Sequence, residues 1–149
     1  MIEVYTDGSC WPNDGTGNGI FGFVVIENNN KVLHQHVSGR NQTTNNRMEL
    51  CGVVSAIKYI LEKYNDEEIT IHCDSNYVVK GYNIWIHNWI EKKKANVANW
   101  DIWSYLHELR SSKIKLQWIK GHAGHKWNEL IDTLCNKEFE KRYGTRARY

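Results

Sequence analysis

Apolar positions fall into two regimes along this chain, short β-rich runs near the N-terminus and a three-to-four-residue recurrence after them. Ile2 to Thr6, Phe21 to Ile26 and Val32 to Val37 are runs of strand-forming residues. The first stops at Asp7-Gly8-Ser9, a turn signal, and Asn28-Asn29-Asn30 separates the other two, so an antiparallel three-strand meander is predicted. Beyond a polar loop from Gly39 to Asn46, the residues Met48, Cys51, Val54, Ile57, Leu61 and Tyr64 make one apolar stripe on a helix of about four to five turns. Ile69 to Cys73 is a fourth strand closing at Asp74-Ser75, and either of those residues can cap the helix that follows to about Trp89. A helix from Trp100 or Asp101 to Arg110, a strand from Ile114 to Ile119 and a helix from Trp127 to about Tyr143 complete the order βββαβααβα. Strands joined first by hairpins and later through helices imply an α/β fold with a five-stranded mixed sheet. Three strands are expected antiparallel and two parallel, with helices on both faces.

A single proline, Pro12, and the absence of linkers, repeats or low-complexity runs predict one domain over residues 1–149, with a core of about 2–143. A chain of this length buries enough surface to fold without staples. No apolar run approaches the ~20 residues of a spanning helix, and the start MIEVYTDGSC is not an export signal, so neither membrane insertion nor secretion is expected. Cys10, Cys51, Cys73 and Cys135 form no C-x-x-C pair. Small buried thiols in a reducing, cytoplasmic setting are therefore expected, rather than zinc ligands or disulfides. The net charge of +2 hides an asymmetry. Residues 1–79 hold five Lys or Arg against ten Asp or Glu, and residues 80–149 hold fourteen against seven. One surface suited to a polyanion and another suited to metal cations fit that split, as do ordinary solvated faces.

Asp7 and Asp74 are predicted at strand ends, where α/β sheets usually bind ligands. Each also has a plainer reading. Asp7 fits an Asp-Gly turn, Asp74 a helix N-cap, Glu49 a helix-dipole acid in the first turn of its helix, and Asp132 a solvated helix residue.

The words around these acids are more specific: Tyr5-Thr-Asp-Gly-Ser-Cys10, Thr43-Thr-Asn-Asn-Arg-Met-Glu-Leu50, Asp74-Ser-Asn-Tyr-Val78, Trp85-Ile-His-Asn-Trp89, and Lys120-Gly-His-Ala-Gly-His125 with Asn128 and Asp132. In these words and their order the chain resembles ribonuclease H of type 1, from about residue 2 to about residue 140. The resemblance implies the ribonuclease H-like fold and hydrolysis of the RNA strand of RNA/DNA hybrids, without sequence readout, leaving 5′-phosphate and 3′-hydroxyl ends. It makes Asp7, Glu49, Asp74 and Asp132 the ligands of two divalent ions, normally Mg²⁺ with Mn²⁺ as a possible substitute, and Asp7 the bridging ligand. Two ions ~4 Å apart can activate water and stabilise the leaving oxygen of an in-line attack, and hard Mg²⁺ suits oxygen ligands. Four clustered acids without metal repel, so at least one should titrate above its ordinary value and metal should stabilise the fold. His122, between glycines, becomes a mobile proton carrier. His125 is assigned to structure, and His34, His36, His72, His87 and His107 to no catalytic role.

The resemblance also distributes the substrate contacts. Asn13, Asn45, Asn46 and Asn76 fall on the RNA side, where amides read the 2′-hydroxyl, and Glu49 can reach the same group. Thr44 and Asn99 match positions gripping a DNA phosphate, while Tyr77, Trp85 and Trp89 match or neighbour the DNA channel. Gln42 stands where some members carry an Arg, which predicts a weaker grip. Of the long basic protrusion of some relatives only Glu91-Lys-Lys-Lys-Ala95 remains, so Lys92, Lys93 and Lys94 are expected to add few phosphate contacts. A separate N-terminal hybrid-binding module is not expected, and the basic tail with Arg146 and Arg148 is expected to fray or brush phosphate. The RNA/DNA hybrid is the expected partner of a monomer that needs neither a membrane nor a second protein. A fold-related integrase, transposase or resolvase cutting DNA, and a catalytically idle hybrid-binding domain, are the rival readings.

Overall fold

β1 (Ile2–Trp11), β2 (Gly17–Glu27) and β3 (Lys31–Thr43) make the antiparallel meander, and β4 (Ile69–Cys73) and β5 (Ile114–Trp118) extend it in parallel, in the order β3-β2-β1-β4-β5. The computed structural model describes residues 1–94 and 96–145. Arg146 and Arg148 of the expected basic tail, and Ala95, lie outside the described residues. Between β2 and β3, Asn28 and Asn29 take φ of 51° and 59°, and the Asn30 N–H donates to the Glu27 carbonyl at 3.1 Å. Within this three-residue connection, positive φ at both central residues of the Glu27–Asn30 turn suits the right-handed twist of the flanking strands.

Alternation along the central strands sends side chains to both faces. Phe23 and Val25 pack under α1 (Asn45–Lys63), while Ile20, Val24 and Ile26 pack against Trp127, Ile131, Cys135 and Phe139 of the C-terminal helix, Lys126–Tyr143. Helices therefore cover both faces, as expected. The deepest line of α1 is Met48, Leu50, Val53, Ala56, Ile57 and Ile60, which keeps Met48 and Ile57 of the predicted stripe and replaces the rest. Cys51 and Val54 are half-buried on its flank, lining a cavity with Ile102 and Tyr105 of the helix Trp100–Leu109.

The strands outrun the apolar pattern, and one consequence concerns Asp7. β1 continues through Asp7-Gly8, pairing Asp7 with Gly22 and Gly8 with Phe21, so this is no turn. The parallel ladder with β4 stops at Thr6 and Cys73. Asp7 and Asp74 are thus the first residues beyond that ladder, and the relevant end is that of β4. The predicted polar loop after Gly39 is likewise strand as far as Thr43, leaving Thr44 alone before α1. β3 is an edge strand with an exposed face, so polar side chains masked it.

After β4 the chain is helical from Asn76 to Glu91, as α2 (Asn76–Lys80), a π-helical turn (Gly81–Trp85) and α3 (Ile86–Glu91). A Cβ on Gly81 would lie 2.2 Å from the Trp103 ring, so glycine lets this run approach the next helix, α4 (Trp100–Leu109). In the π turn, Tyr82 Oη and Asn83 Nδ2 donate to the β5 carbonyls of Ile114 and Leu116, each at 3.1 Å. The C-terminal helix is α5, and among the described residues no helix is long and apolar enough to cross a membrane.

Candidate active site

Four elements converge on a cavity of about 240 Å³ lined by Asp7, Gly8, Ser9, Glu49, Asp74, His122, Asp132 and Asn136. Asp7 comes from β1, Glu49 from α1, Asp74 from the end of β4 and Asp132 from α5. Local capping decides between the readings the sequence left open. Ser75 caps α2 through the Val78 N–H at 3.2 Å, which frees Asp74 from that duty. Thr44 caps α1 through the Arg47 N–H at 3.3 Å, so Glu49 lies in the second turn rather than the first and is buried, 7% exposed. A Cβ on Gly8 would meet the backbone of Met48 at 2.4 Å and of Glu49 at 2.6 Å. Glycine there lets the Glu49 turn of α1 press onto β1 beside Asp7.

The electrostatics are those of a site lacking a counter-charge. Asp7 is pushed well above the ordinary carboxylate value by burial, then by Asp74 and Asp132. Glu49 is pushed well up by burial, then by Asp7 and Asp74. Asp74 is raised by burial as well, with His122 partly opposing. Asp132 lies close enough to Asp7, and Asp74 to Glu49, to raise the pKa of each, while the neighbouring Gly8 backbone opposes the rise at both Asp7 and Glu49. Burial disfavours charge and neighbouring negative charge adds to the cost, so these groups hold their protons more tightly than free carboxyls do, and a nearby cation would oppose that rise.

Three neighbours escaped the sequence reading. Cys73 Sγ donates to Glu49 Oε2 at 3.7 Å, and burial pushes its thiol well up, keeping it protonated. Asn136 Nδ2 donates to Asp132 Oδ2 at 3.4 Å, a partnership implied by its position four residues on along one helix face. Trp118 Nε1 donates to the Asp74 carbonyl at 3.1 Å. Glu49, Cys73 and Asp74 each offer a donor atom, all within 4.8 Å of one another. With a protonated thiol among them, the donors left for a cation are carboxylate oxygens, a set that fits a hard divalent ion.

His122 is exposed on the rim, in the loop before α5, with φ of 56°. A Cβ on the preceding Gly121 would lie 2.7 Å from Asp74 Oδ2, so the loop backbone rests directly against that carboxylate. His125 has the structural place assigned to it, as N-cap residue of α5 with its ring 5.1 Å from that of Tyr5.

Some of the expected substrate residues are tied into two hydrogen-bonded sets, one around Asn13 and Asn45 and one around Tyr77 and Asn99. Asn13 Oδ1 accepts from the Asn45 N–H at 2.9 Å and Asn45 Oδ1 from the Cys10 N–H at 2.7 Å, while Asn46 and Asn76 are exposed. On the other side, Asn99 Nδ2 and Trp103 Nε1 both donate to Tyr77 Oη, at 3.1 and 2.9 Å. Trp85 is 38% exposed, its ring 6.3 Å from that of Tyr77. Trp89 is half-buried edge-on to Trp103 and Trp100, so it is as much a packing residue as a surface one. Gln42 is exposed with φ of 51°, and Lys92, Lys93 and Lys94 are exposed just beyond α3.

Comparison with known proteins identifies the family to which the chain is similar. The model of the family RNase H matches residues 1–140. The chain is 42% identical to the ribonuclease HI of Haemophilus influenzae strain Rd over 94% of its own length and 90% of that protein. It is 38% identical to a ribonuclease H of Campylobacter jejuni strain 81-176, over 91% and 89% of the two chains. Among solved structures it is similar to the crystal structure of LC9-RNase H1, a type 1 RNase H with the type 2 active-site motif. That likeness has a TM-score of 0.80 at 26% identity and covers 98% of this chain and 74% of that one.

Proposed function

The chain belongs to the ribonuclease H family, and from that premise we propose that the acidic cavity is where it cuts the RNA strand of RNA/DNA hybrids, with Asp7, Glu49, Asp74 and Asp132 holding two divalent ions. The enzyme is a ribonuclease H, an endonuclease acting on RNA/DNA hybrids. One observation carries the site assignment: four carboxylates from four elements face one cavity, and burial and mutual repulsion push three of them up. Divalent ions bound there supply charge neutralisation on the phosphate and a lowered pKa for the attacking water.

Asp7 would be the ligand common to both ions, a reading supported by its place among the acids, since Asp74 and Asp132 raise its pKa and it raises that of Glu49. The ions are Mg²⁺, with Mn²⁺ able to replace it, because the available donors are oxygens. Cys73 is no ligand of such ions and instead steadies Glu49 through its thiol hydrogen. His122, on the rim loop, carries a proton between the reacting oxygens and solvent, leaving 5′-phosphate and 3′-hydroxyl ends. Asn13, Asn45, Asn46 and Asn76 take the RNA strand. Thr44, Asn99, Tyr77, Trp85 and Trp89 take the DNA strand, and Lys92, Lys93 and Lys94 add phosphate attraction. The protein works as a cytoplasmic monomer formed by a single domain; the burial of the small thiols Cys10, Cys73 and Cys135 supports a reducing compartment.

The test is cleavage of a labelled hybrid with Mg²⁺, with Mn²⁺ and with chelator, beside the same sequence as RNA/RNA and DNA/DNA. Metal-dependent cuts confined to the RNA of the hybrid are expected. Cutting that persists in chelator would remove the metal assignment, and binding without cleavage in either ion would make the carboxylates idle.

A further inference from the structure

Arg47, in the first turn of α1, reaches across to the start of α4. Its Nη1 and Nη2 donate to the two carboxylate oxygens of Asp101 at 3.0 and 2.8 Å, and Nη1 also donates to Asn99 Oδ1 at 3.3 Å. Asn99 is the N-cap residue of α4, yet its side chain makes no capping bond, and its φ of 62° is left-handed. The amide is held at both ends instead, its oxygen by Arg47 and its nitrogen by Tyr77 Oη. A guanidinium can only donate, so the amide edge toward Arg47 has to be the oxygen. Tyr77 Oη accepts from both Asn99 and Trp103, which engages its lone pairs and leaves its own hydrogen to be donated.

This bears on anion recognition, which needs donors. With Asn99 Oδ1 occupied, the second Nδ2 hydrogen and the Tyr77 hydroxyl hydrogen remain for a phosphate. With it released, the amide can turn an oxygen toward the anion and repel it. We propose that Arg47, braced by Asp101, is a positioning residue that sets Asn99 and Tyr77 as donors to one phosphate of the DNA strand; this rests on the reading above that Thr44 and Asn99 grip that phosphate. The guanidinium is already neutralised by a bidentate carboxylate. It acts through Asn99 and not as a cation for the backbone. A bidentate fork also sets the substitution rule, because a lysine ammonium cannot make both bonds.

The experiment measures steady-state cleavage in Mg²⁺ of hybrids in which each DNA phosphate near the cut is replaced in turn by a neutral methylphosphonate. In the unaltered enzyme one position raises KM. Arg47→Ala raises KM on the natural hybrid by roughly five- to tenfold with kcat within about twofold, and flattens the response at that one position. Arg47→Lys does not restore it. Asp101→Asn changes an exposed side chain and tests the same link without disturbing α1; it moves KM in the same direction by less. The salt slope of hybrid binding stays as it was, whereas removing a cation that contacts phosphate directly would lower it by about one. If Arg47→Ala keeps both the natural KM and the full methylphosphonate response, the positioning role is wrong. If the unaltered enzyme ignores every methylphosphonate, the phosphate pocket itself is wrong, and the proposal goes with it.

Discussion

Glu49 and Arg47 leave the same helix two residues apart and enter clusters built on opposite electrostatic rules. Around Glu49, buried acids face one another and are pushed toward their protonated forms. Around Arg47, every charge is matched: the guanidinium lowers the pKa of Asp101 and each end of Asn99 has a partner. The first cluster holds its acids against their mutual repulsion. The second holds its shape alone, which suits a grip that must exist before substrate arrives. On the proposed function, the contrast separates the part of the molecule that would do chemistry from the part that would align the duplex.

Removing an acid tests the contrast most severely. Asp7→Asn should cut turnover by roughly a thousandfold or more while leaving metal-free stability unchanged or higher, since a repelling buried charge is lost. Single-turnover cleavage and melting in chelator check it together; a large fall in metal-free melting temperature would mean that the Asp7 carboxyl supports the fold after all. His122→Ala should cost only roughly ten- to a hundredfold, as a proton carrier does, and losses equal to those of Asp7→Asn would contradict the division of roles.

Metal and pH give the next largest effect. Saturation at a hundredfold over Kd should stabilise the protein by about 2.7 kcal/mol, a rise of roughly 5–10 °C in Tm for a domain of this size. Asp7, Glu49 and Asp74 have folded pKa values above their unfolded ones, so in chelator their contribution is fully present below the ordinary values of 3.8 and 4.5 and is lost as pH rises through the raised values. Asp101 runs the other way, its pKa held down by Arg47, so its contribution is present above 3.8 and lost as pH falls below it. Melting against pH should therefore show a stability loss toward neutral pH that Mg²⁺ removes. A metal-free curve that rises steadily toward neutrality would show that the acidic cluster is not frustrated.

The smallest effect is expected at the margin of the aligning region. Replacing Lys92, Lys93 and Lys94 together by Ala should weaken hybrid binding a few-fold and reduce its salt slope by no more than about three. An unchanged slope in a binding titration would leave the three as a solvated helix end.

How much of this could be read from the sequence differs between the two clusters. The acids and His122 stand in long motif words, so their identity was legible, but the local reason offered for Asp7 was wrong. Its Asp-Gly pair is strand, and what puts Asp7 beside Asp74 is the end of the β4 ladder, a pairing between residues far apart in the chain. Cys73 and Trp118 became visible only through that same pairing of β1, β4 and β5, whereas Asn136 was within reach of helical periodicity. The bonds of Arg47 with Asn99 and Asp101 span 52 and 54 residues, and no local pattern announces them.

By itself the sequence determined the order of elements, the mixed sheet with helices on both faces and the family, because periodicity, turn chemistry and motif words are properties of neighbouring residues. Only the tertiary structure decided which acids are buried, that they press one another upward, that Gly8 and Gly121 bring backbone against Glu49 and Asp74, and that Arg47 braces Asn99. Burial and Coulomb energies depend on distances through space, and those are set when the sheet closes and the helices dock upon it.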